Sequence, residues 1–354
     1  MNKRQREYCL YITLIVVVAL IVFFFAFKEE GATIIHTLSQ LDLKLFLICM
    51  GAILLYHFMV GYILRLFAQF YKKDYSLKEG YQNALIAALF HGLTPFSSGG
   101  QFIQGYVFYK QGIDVGESAS ILLMDFIVYQ TTMVLYTLFF IVLKYTSYFS
   151  INSSLFTVAL LGFLINFIII IGLWALARSH KLHAWLCNKG IYFLAKWKVI
   201  KKPEEVICQI NEYLSKFKVE IARLSNKKSL IFKVVLANIL RLTLYFVIPY
   251  LCAKALQIDI PISYVLDVIA LSSFVSMVNS FVPLPGASGG SEGTFTIMFS
   301  GLMSRGNVLS TMLLWRFVTY YMILILGAFT FARFTREKPL RKIEEEIYEN
   351  RVVQ

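Results

Sequence analysis

Five charged residues stand inside otherwise apolar stretches: Arg65, Asp125, Arg241, Glu292 and Arg316. A charge at the centre of a bilayer costs at least ~2.5–3.5 kcal/mol on insertion scales, so each one needs a partner or a task. A guanidinium binds phosphate bidentately, which suits the three arginines to an anionic headgroup. A carboxylate such as Glu292 suits an ammonium or a proton. The other reading is structural: Asp125, Arg241, Glu292 and Arg316 pair among themselves and hold a helix bundle together. The residue types leave both readings open.

Two of these charges flank a short stretch that occurs twice. Pro95-Phe96-Ser97-Ser98-Gly99-Gly100 and Pro285-Gly286-Ala287-Ser288-Gly289-Gly290 share the pattern P-x-x-S-G-G. Proline lacks an N–H and glycine tolerates positive φ, so each copy should break a helix. Broken backbone inside lipid survives only where protein buries it or a wet cavity exposes it. The flanks repeat as well. Ile63-Leu64-Arg65-Leu66 precedes the first copy and Ile239-Leu240-Arg241-Leu242 the second. Asp125 follows Pro95 by 30 positions and Arg316 follows Pro285 by 31, each within a Leu-Leu-x-x-Phe-x-x-Tyr context. An internal duplication is expected, with repeat 1 at about 43–143 and repeat 2 at about 230–331. Paired helix breaks in two halves point to a transporter's binding site. The candidate binding residues are therefore Arg65, Pro95, Ser98, Gly99, Gly100, Gln101, Gln104 and Asp125, with Arg241, Pro285, Gly286, Ser288, Gly289, Gly290, Glu292 and Arg316. Backbone N–H groups at the arms that follow Gly100 and Gly290 would add to an anion site.

The elements that must position these groups are membrane helices. The chain has 354 residues, 58% hydrophobic and 16% charged, the balance of a polytopic membrane protein. Its net charge of +13 fits cytoplasmic loops facing anionic lipid, and no nucleic-acid partner is expected. The five cysteines have no C-x-x-C spacing and read as free thiols; no metal site or cofactor is expected, although His180 and His183 lie three apart.

Spans are expected at Leu10 to Phe27, Leu43 to Phe67, Ser118 to Leu143, Leu155 to Ala177, Leu230 to Cys252 (interrupted by Pro249) and Val308 to Phe331. Tyr81 to Leu93 and the arm after Gly100 are too short to cross and suggest a re-entrant hairpin. Ile262 to Phe281 and Phe295 to Met303 would form the second; if both arms cross fully instead, eight spans replace six spans plus two hairpins and the parity is unchanged. The fold expected is thus all-α, six full spans plus two re-entrant hairpins, in one integral domain over 1–335 with a charged tail at 336–354. Arg178 to Lys228 holds twelve Lys/Arg against four Glu and should face the cytoplasm. Within it, Ile207, Ile210, Leu214, Phe217, Ile221 and Leu224 mark one apolar helix face.

Counting crossings from the basic segments sets the orientation. Both termini lie inside. The first hairpin enters from and returns to the cytoplasm; the second does the same from outside. The repeats are therefore inverted, with their broken tips meeting near mid-membrane.

The second motif, P-L-P-G-A-S-G-G-S-E-G-T-F at 283–295, resembles the signature of the lysylphosphatidylglycerol synthase transmembrane-region family. The first, T-P-F-S-S-G-G-Q-F-I-Q at 94–104, is similar to the form in Gram-positive members. The resemblance spans about 8 to 335. Relatives commonly carry an acid at the position of Gln101. It implies a multi-pass protein of the bacterial plasma membrane, similar to the flippase half of the multiple peptide resistance factors. Such a protein would move an anionic or aminoacylated phospholipid, or a lipid-linked carrier, between leaflets. Complete two-part members append an aminoacyl-transferase domain, for which 336–354 has no room. The alternatives are phosphatidylglycerol lysyltransfer from lysyl-tRNA, and a membrane scaffold for a partner synthase or a second copy of the chain.

Overall fold

A computed structural model describes residues 34–151, 153–178, 223, 226–280 and 282–337. The expected span at Leu10 to Phe27, nearly all of the 178–228 segment and the tail beyond 337 lie outside the described residues. The described residues are helical, with no strand among them. The helices are α1 Leu43–Ala68, α2 Leu77–Leu93, α3 Gly99–Lys110, α4 Val115–Ile151 and α5 Ser153–Arg178. After the undescribed segment come α6 Lys228–Ala255, α7 Val265–Asn279, α8 Gly290–Phe299, α9 Arg305–Arg316 and α10 Met322–Glu337. Five stretches are long and apolar enough to cross a membrane: Leu43–Ala68, Val115–Leu143, Lys228–Ala255, Ile262–Asn279 and Arg305–Glu337. A shorter apolar helix runs over Leu160–Gly172.

Local chemistry sets several helix ends. The Asp42 carboxylate accepts from the Lys44 and Leu45 N–H groups at 2.8 and 3.2 Å, capping α1. At α2, Ser76 and Glu79 form a reciprocal capping box. Beside it Lys72 Nζ donates to Glu79 Oε1 at 3.3 Å and to the Gln111 carbonyl at 2.8 Å, while Tyr75 donates to Gln111 Oε1 at 2.7 Å. This polar knot ties the start of α2 to the end of α3, so the hairpin opens and closes at one place.

Two expectations need correction. Pro249 does not interrupt its span: α6 runs unbroken through it. Proline removes one N–H, and the packed neighbours of a membrane helix tolerate that loss. The last span is not one uniform helix either. A π-helical turn at Phe317–Tyr321 separates α9 from α10. Such turns shift side chains out of α register and occur often at functional sites.

The bundle packs through its centre. α1 lies along α6, with the Asp42 N–H donating to the Ala255 carbonyl at 2.7 Å where the two antiparallel helices meet. α2 packs on α10, and α7 packs on α4, α5 and α6. The largest apolar core takes Ile53 from α1, Phe140 from α4, Phe246 from α6, Phe274 from α7, Phe295 from α8 and Trp315 from α9. Outward stripes remain exposed at helical spacing, such as Leu135, Phe139 and Val142 on α4 and Leu161, Ile165 and Ile168 on α5. Apolar side chains turned outward from long apolar helices are the surface that lipid covers.

Candidate functional site

Both P-x-x-S-G-G copies break the chain and begin alike, although Ser98 is helical and Ser288 extended. Each begins as a single 3₁₀ turn, Pro95–Ser97 and Pro285–Ala287. The preceding residues are extended, Thr94 at φ −114°, ψ 146° and Leu284 at φ −103°, ψ 147°. The second residue of each turn is left-handed, Phe96 at φ 52°, ψ 19° and Gly286 at φ 59°, ψ 18°. Glycine adopts that conformation freely, whereas phenylalanine is strained in it. In both copies the Ser hydroxyl, Ser98 or Ser288, donates to the carbonyl of the motif proline at 3.0 Å. The two turns, distant in sequence, pack against each other.

The copies differ in their surroundings. The first is open: Pro95, Phe96, Ser98 and Gln101 are exposed. Thr94 Oγ1 accepts from the Gly99 N–H at 2.8 Å and donates to the Phe90 carbonyl at 2.7 Å. Gly100 sits against the His91 ring, where a Cβ would overlap it. Gln104 is buried, and its carbonyl accepts from Asn83 Nδ2 at 3.4 Å. The second copy is enclosed. Pro285 and Ser288 are buried, and a Cβ on Gly286 would overlap the Tyr320 ring. Tyr320 reaches across to the first copy's approach helix and donates to the Gly92 carbonyl at 3.1 Å.

Glu292 uses both carboxylate oxygens on protein. Oε2 accepts from the Gly289 N–H at 2.6 Å, and Oε1 from Arg316 Nε at 2.7 Å. Arg316 also donates Nη2 to the Gly286 carbonyl at 3.0 Å and lies 4.7 Å from the centroid of the Tyr320 ring. The structural reading thus holds for this pair, which clamps the second turn to α9. At the starts of α3 and α8 the Gly99 and Gly289 N–H groups are taken by Thr94 and Glu292.

The remaining intramembrane charges gather elsewhere. Arg241, near the middle of α6, is buried, with its guanidinium 4.0 Å from the Tyr129 ring centroid and 5.9 Å from that of Tyr56. Asp125 on α4 lies within electrostatic reach of Arg241. No ion pair joins the two among the described residues. The Tyr245 ring sits 5.1 Å from that of Tyr56 and within electrostatic reach of Arg316. Arg65, nearer the Lys72 end of α1, is half-buried, and its Nε meets no acceptor. Near that end an open groove between α1 and α6 has an apolar floor of Leu66, Phe70 and Leu230 and a rim of Lys227, Lys228 and Lys233.

Tyr56, His57, Tyr129, Asn238, Tyr245 and Tyr320 are not among the residues expected from the sequence. A signal was present for some of them. Asn238, Arg241 and Tyr245 follow at spacings of 3 and 4, and Asp125 and Tyr129 at 4, so each set lies on one helix face.

No solved structure matches this chain. A UPF0104 membrane protein of Archaeoglobus fulgidus is 26% identical over 243 residues, which make up 67% of this chain and 70% of that protein. A family model described as the lysylphosphatidylglycerol synthase TM region matches residues 11–327, covering both broken motifs and every buried charge described above. The chain belongs to that family.

Proposed function

We propose that this protein is a lipid translocator that moves a phospholipid with an anionic or aminoacylated headgroup, or a lipid-linked carrier, between the leaflets of a bacterial plasma membrane. One observation carries the reading: two helix-breaking P-x-x-S-G-G turns, one from each half, each opening on a 3₁₀ turn with a left-handed second residue, pack together within a bundle of apolar helices. Backbone broken in this way inside lipid is the mark of alternating-access carriers.

The packing supports an inverted duplication. α1 lies on its counterpart α6, and the two turns lie on each other. α2 packs on α10 while α7 packs on α4, the equivalent pair with the halves exchanged. In this arrangement the termini are cytoplasmic, the α2–α3 hairpin enters from the cytoplasm and the α7–α8 hairpin from outside. Arg65, Arg241 and the motif residues would meet the headgroup. The Glu292–Arg316 pair would hold the second turn, and its opening would be part of the transport step.

The test is reconstitution into liposomes with fluorescent phosphatidylglycerol and lysyl-phosphatidylglycerol analogues. Exchange between leaflets that depends on the protein is expected. Lysyl transfer from lysyl-tRNA to phosphatidylglycerol without any exchange would replace the translocator with the lysyltransferase that the family's description names. Inactivity in both assays would leave the scaffold reading.

A further inference from the structure

The buried polar side chains divide into those the protein satisfies and those it does not. Arg316 belongs to the first group. Arg241 belongs to the second: it is 6% exposed, and its Nε and Nη1 lie out of solvent contact with no acceptor. Asn238, one turn earlier on the same face of α6, is 0% exposed, and neither its Oδ1 nor its Nδ2 has a partner. His57 of α1 is buried with Nδ1 unpartnered and lies within electrostatic reach of Arg241. From α4, Asp125 brings an unpartnered Oδ1.

This concentration is unusual. Nearly all buried polar groups in folded proteins are hydrogen-bonded, and leaving one without a partner is costly, more so for a charge. Arginine cannot escape by losing its proton. Tyr129 covers a face of the guanidinium and its hydroxyl accepts a hydrogen bond from it as well, yet Nε and Nη1 still meet no acceptor. Repacking has not removed the deficit, so the cluster is built for a group that the protein does not itself supply. Arg241 is a pure donor and the Asn238 amide can donate beside it, while Asp125 is an acceptor. The complementary ligand therefore presents an oxyanion to α6 and a hydroxyl or ammonium to α4.

We propose that Arg241, with Asn238 and His57 beside it, forms an oxyanion-binding site at mid-depth in the bundle. Its ligand is a phosphate-type oxyanion, either a headgroup phosphodiester or free phosphate, and Asp125 accepts from a hydroxyl or ammonium on the same molecule. The proposal rests on the translocator reading only for the source of that oxyanion.

The experiment uses the full-length protein purified in detergent and measures binding by ligand-induced thermal stabilisation. The probes are sodium phosphate, short-chain phosphatidylglycerol, short-chain phosphatidylmethanol and a diacylglycerol with the same chains. Saturable binding of at least one phosphate-bearing probe is expected, with none of the diacylglycerol. Arg241→Lys keeps the charge but loses the planar fork and should weaken that binding ~10-fold or more; Arg241→Gln should abolish it. If Arg241→Gln does not fold, Arg241→Lys and Asn238→Leu carry the test. Unchanged affinity in folded variants at both positions overturns the site, as does the absence of saturable binding to any phosphate-bearing probe. Inorganic phosphate binding as tightly as the lipids supports the site and removes the headgroup as its natural ligand, so the translocator reading fails separately. Wild-type protein should prefer phosphatidylglycerol, whose head has hydroxyls, over phosphatidylmethanol. Asp125→Asn should erase that preference, and its survival overturns the role given to Asp125.

Discussion

Glu292 illustrates how one side chain can carry two structural duties. Its carboxylate caps Gly289 through one oxygen and pairs with Arg316 through the other, with side chains only 13% and 8% exposed. A cap alone is worth about 1 kcal/mol. Removing one partner of a buried ion pair costs about 3–5 kcal/mol, because the other charge is left uncompensated. Glu292→Gln keeps an acceptor for Gly289 but strands Arg316, so a loss of about 3 kcal/mol is expected in detergent unfolding. Adding Arg316→Met should recover most of it; a single-mutant loss of 1 kcal/mol or less would reduce Glu292 to a cap. Glu79 gives a pH-dependent case at the interface. Burial opposes its ionisation, but the Ser76 backbone N–H, the Ser76 hydroxyl and Lys72 outweigh that and hold the carboxyl below its ordinary value of 4.5. A depressed folded pKa stabilises fully above the unfolded value and is lost as pH falls through the folded one. The stability advantage of wild type over Glu79→Gln should therefore be full at neutral pH and disappear in acid well below 4.5. An advantage that does not change with pH would show that the Glu79 charge contributes nothing.

At the scale of elements, the short helix α2 is held by close backbone approach. A Cβ on Gly61 would lie 2.6 Å from the backbone N and Cα of Tyr81, and one on Gly80 would overlap the Gly61 carbonyl. Small residues at such a crossing let membrane helices touch without side chains between them. Gly80→Ala should push α1 and α2 apart and cost about 1–3 kcal/mol, the usual range for overpacking. Gly51, on the same α1 but with nothing within 4 Å of its Cβ position, is the control. Gly51→Ala should be neutral or stabilising by up to about 1 kcal/mol through helix propensity. Equal thermal stability of the two variants would argue against the α1–α2 contact. The contrast between the two P-x-x-S-G-G turns belongs here as well. The two turns open alike, with a left-handed second residue, but diverge at the serine, Ser98 at φ −73°, ψ −30° and Ser288 at φ −58°, ψ 140°, and one is exposed while the other is enclosed and ion-paired.

For the whole molecule, the prediction is orientation. In a cysteine-free background, Asp114→Cys, in the exposed connection after α3, should react with an impermeant maleimide only from the cytoplasm. Ser304→Cys, in the exposed connection before α9, should react only from outside. Labelling of both from one side would remove the inverted arrangement and with it the meeting of two hairpins from opposite faces. The α1–α6 seam, the turn-to-turn contact and the Tyr320–Gly92 hydrogen bond then describe one central axis shared by both halves.

The amino-acid sequence alone determined the membrane class and the helix breaks. Hydrophobic length and Pro-Gly chemistry act within a short stretch of chain, so they are readable locally. The pairing of Asp125, Arg241, Glu292 and Arg316 was not readable. Their types allowed either internal pairing or ligand binding, and the choice depends on which helices touch. Tertiary structure gave Arg316 to Glu292, which stands on the neighbouring α8, and left Arg241 among aromatic rings from α1 and α4 with no acceptor for its Nε and Nη1. Pro249 inside α6 and the π turn after Arg316 were decided at the same level. A helix in a packed bundle can tolerate a missing N–H or a shifted register when its neighbours hold it, and those neighbours come from distant parts of the chain.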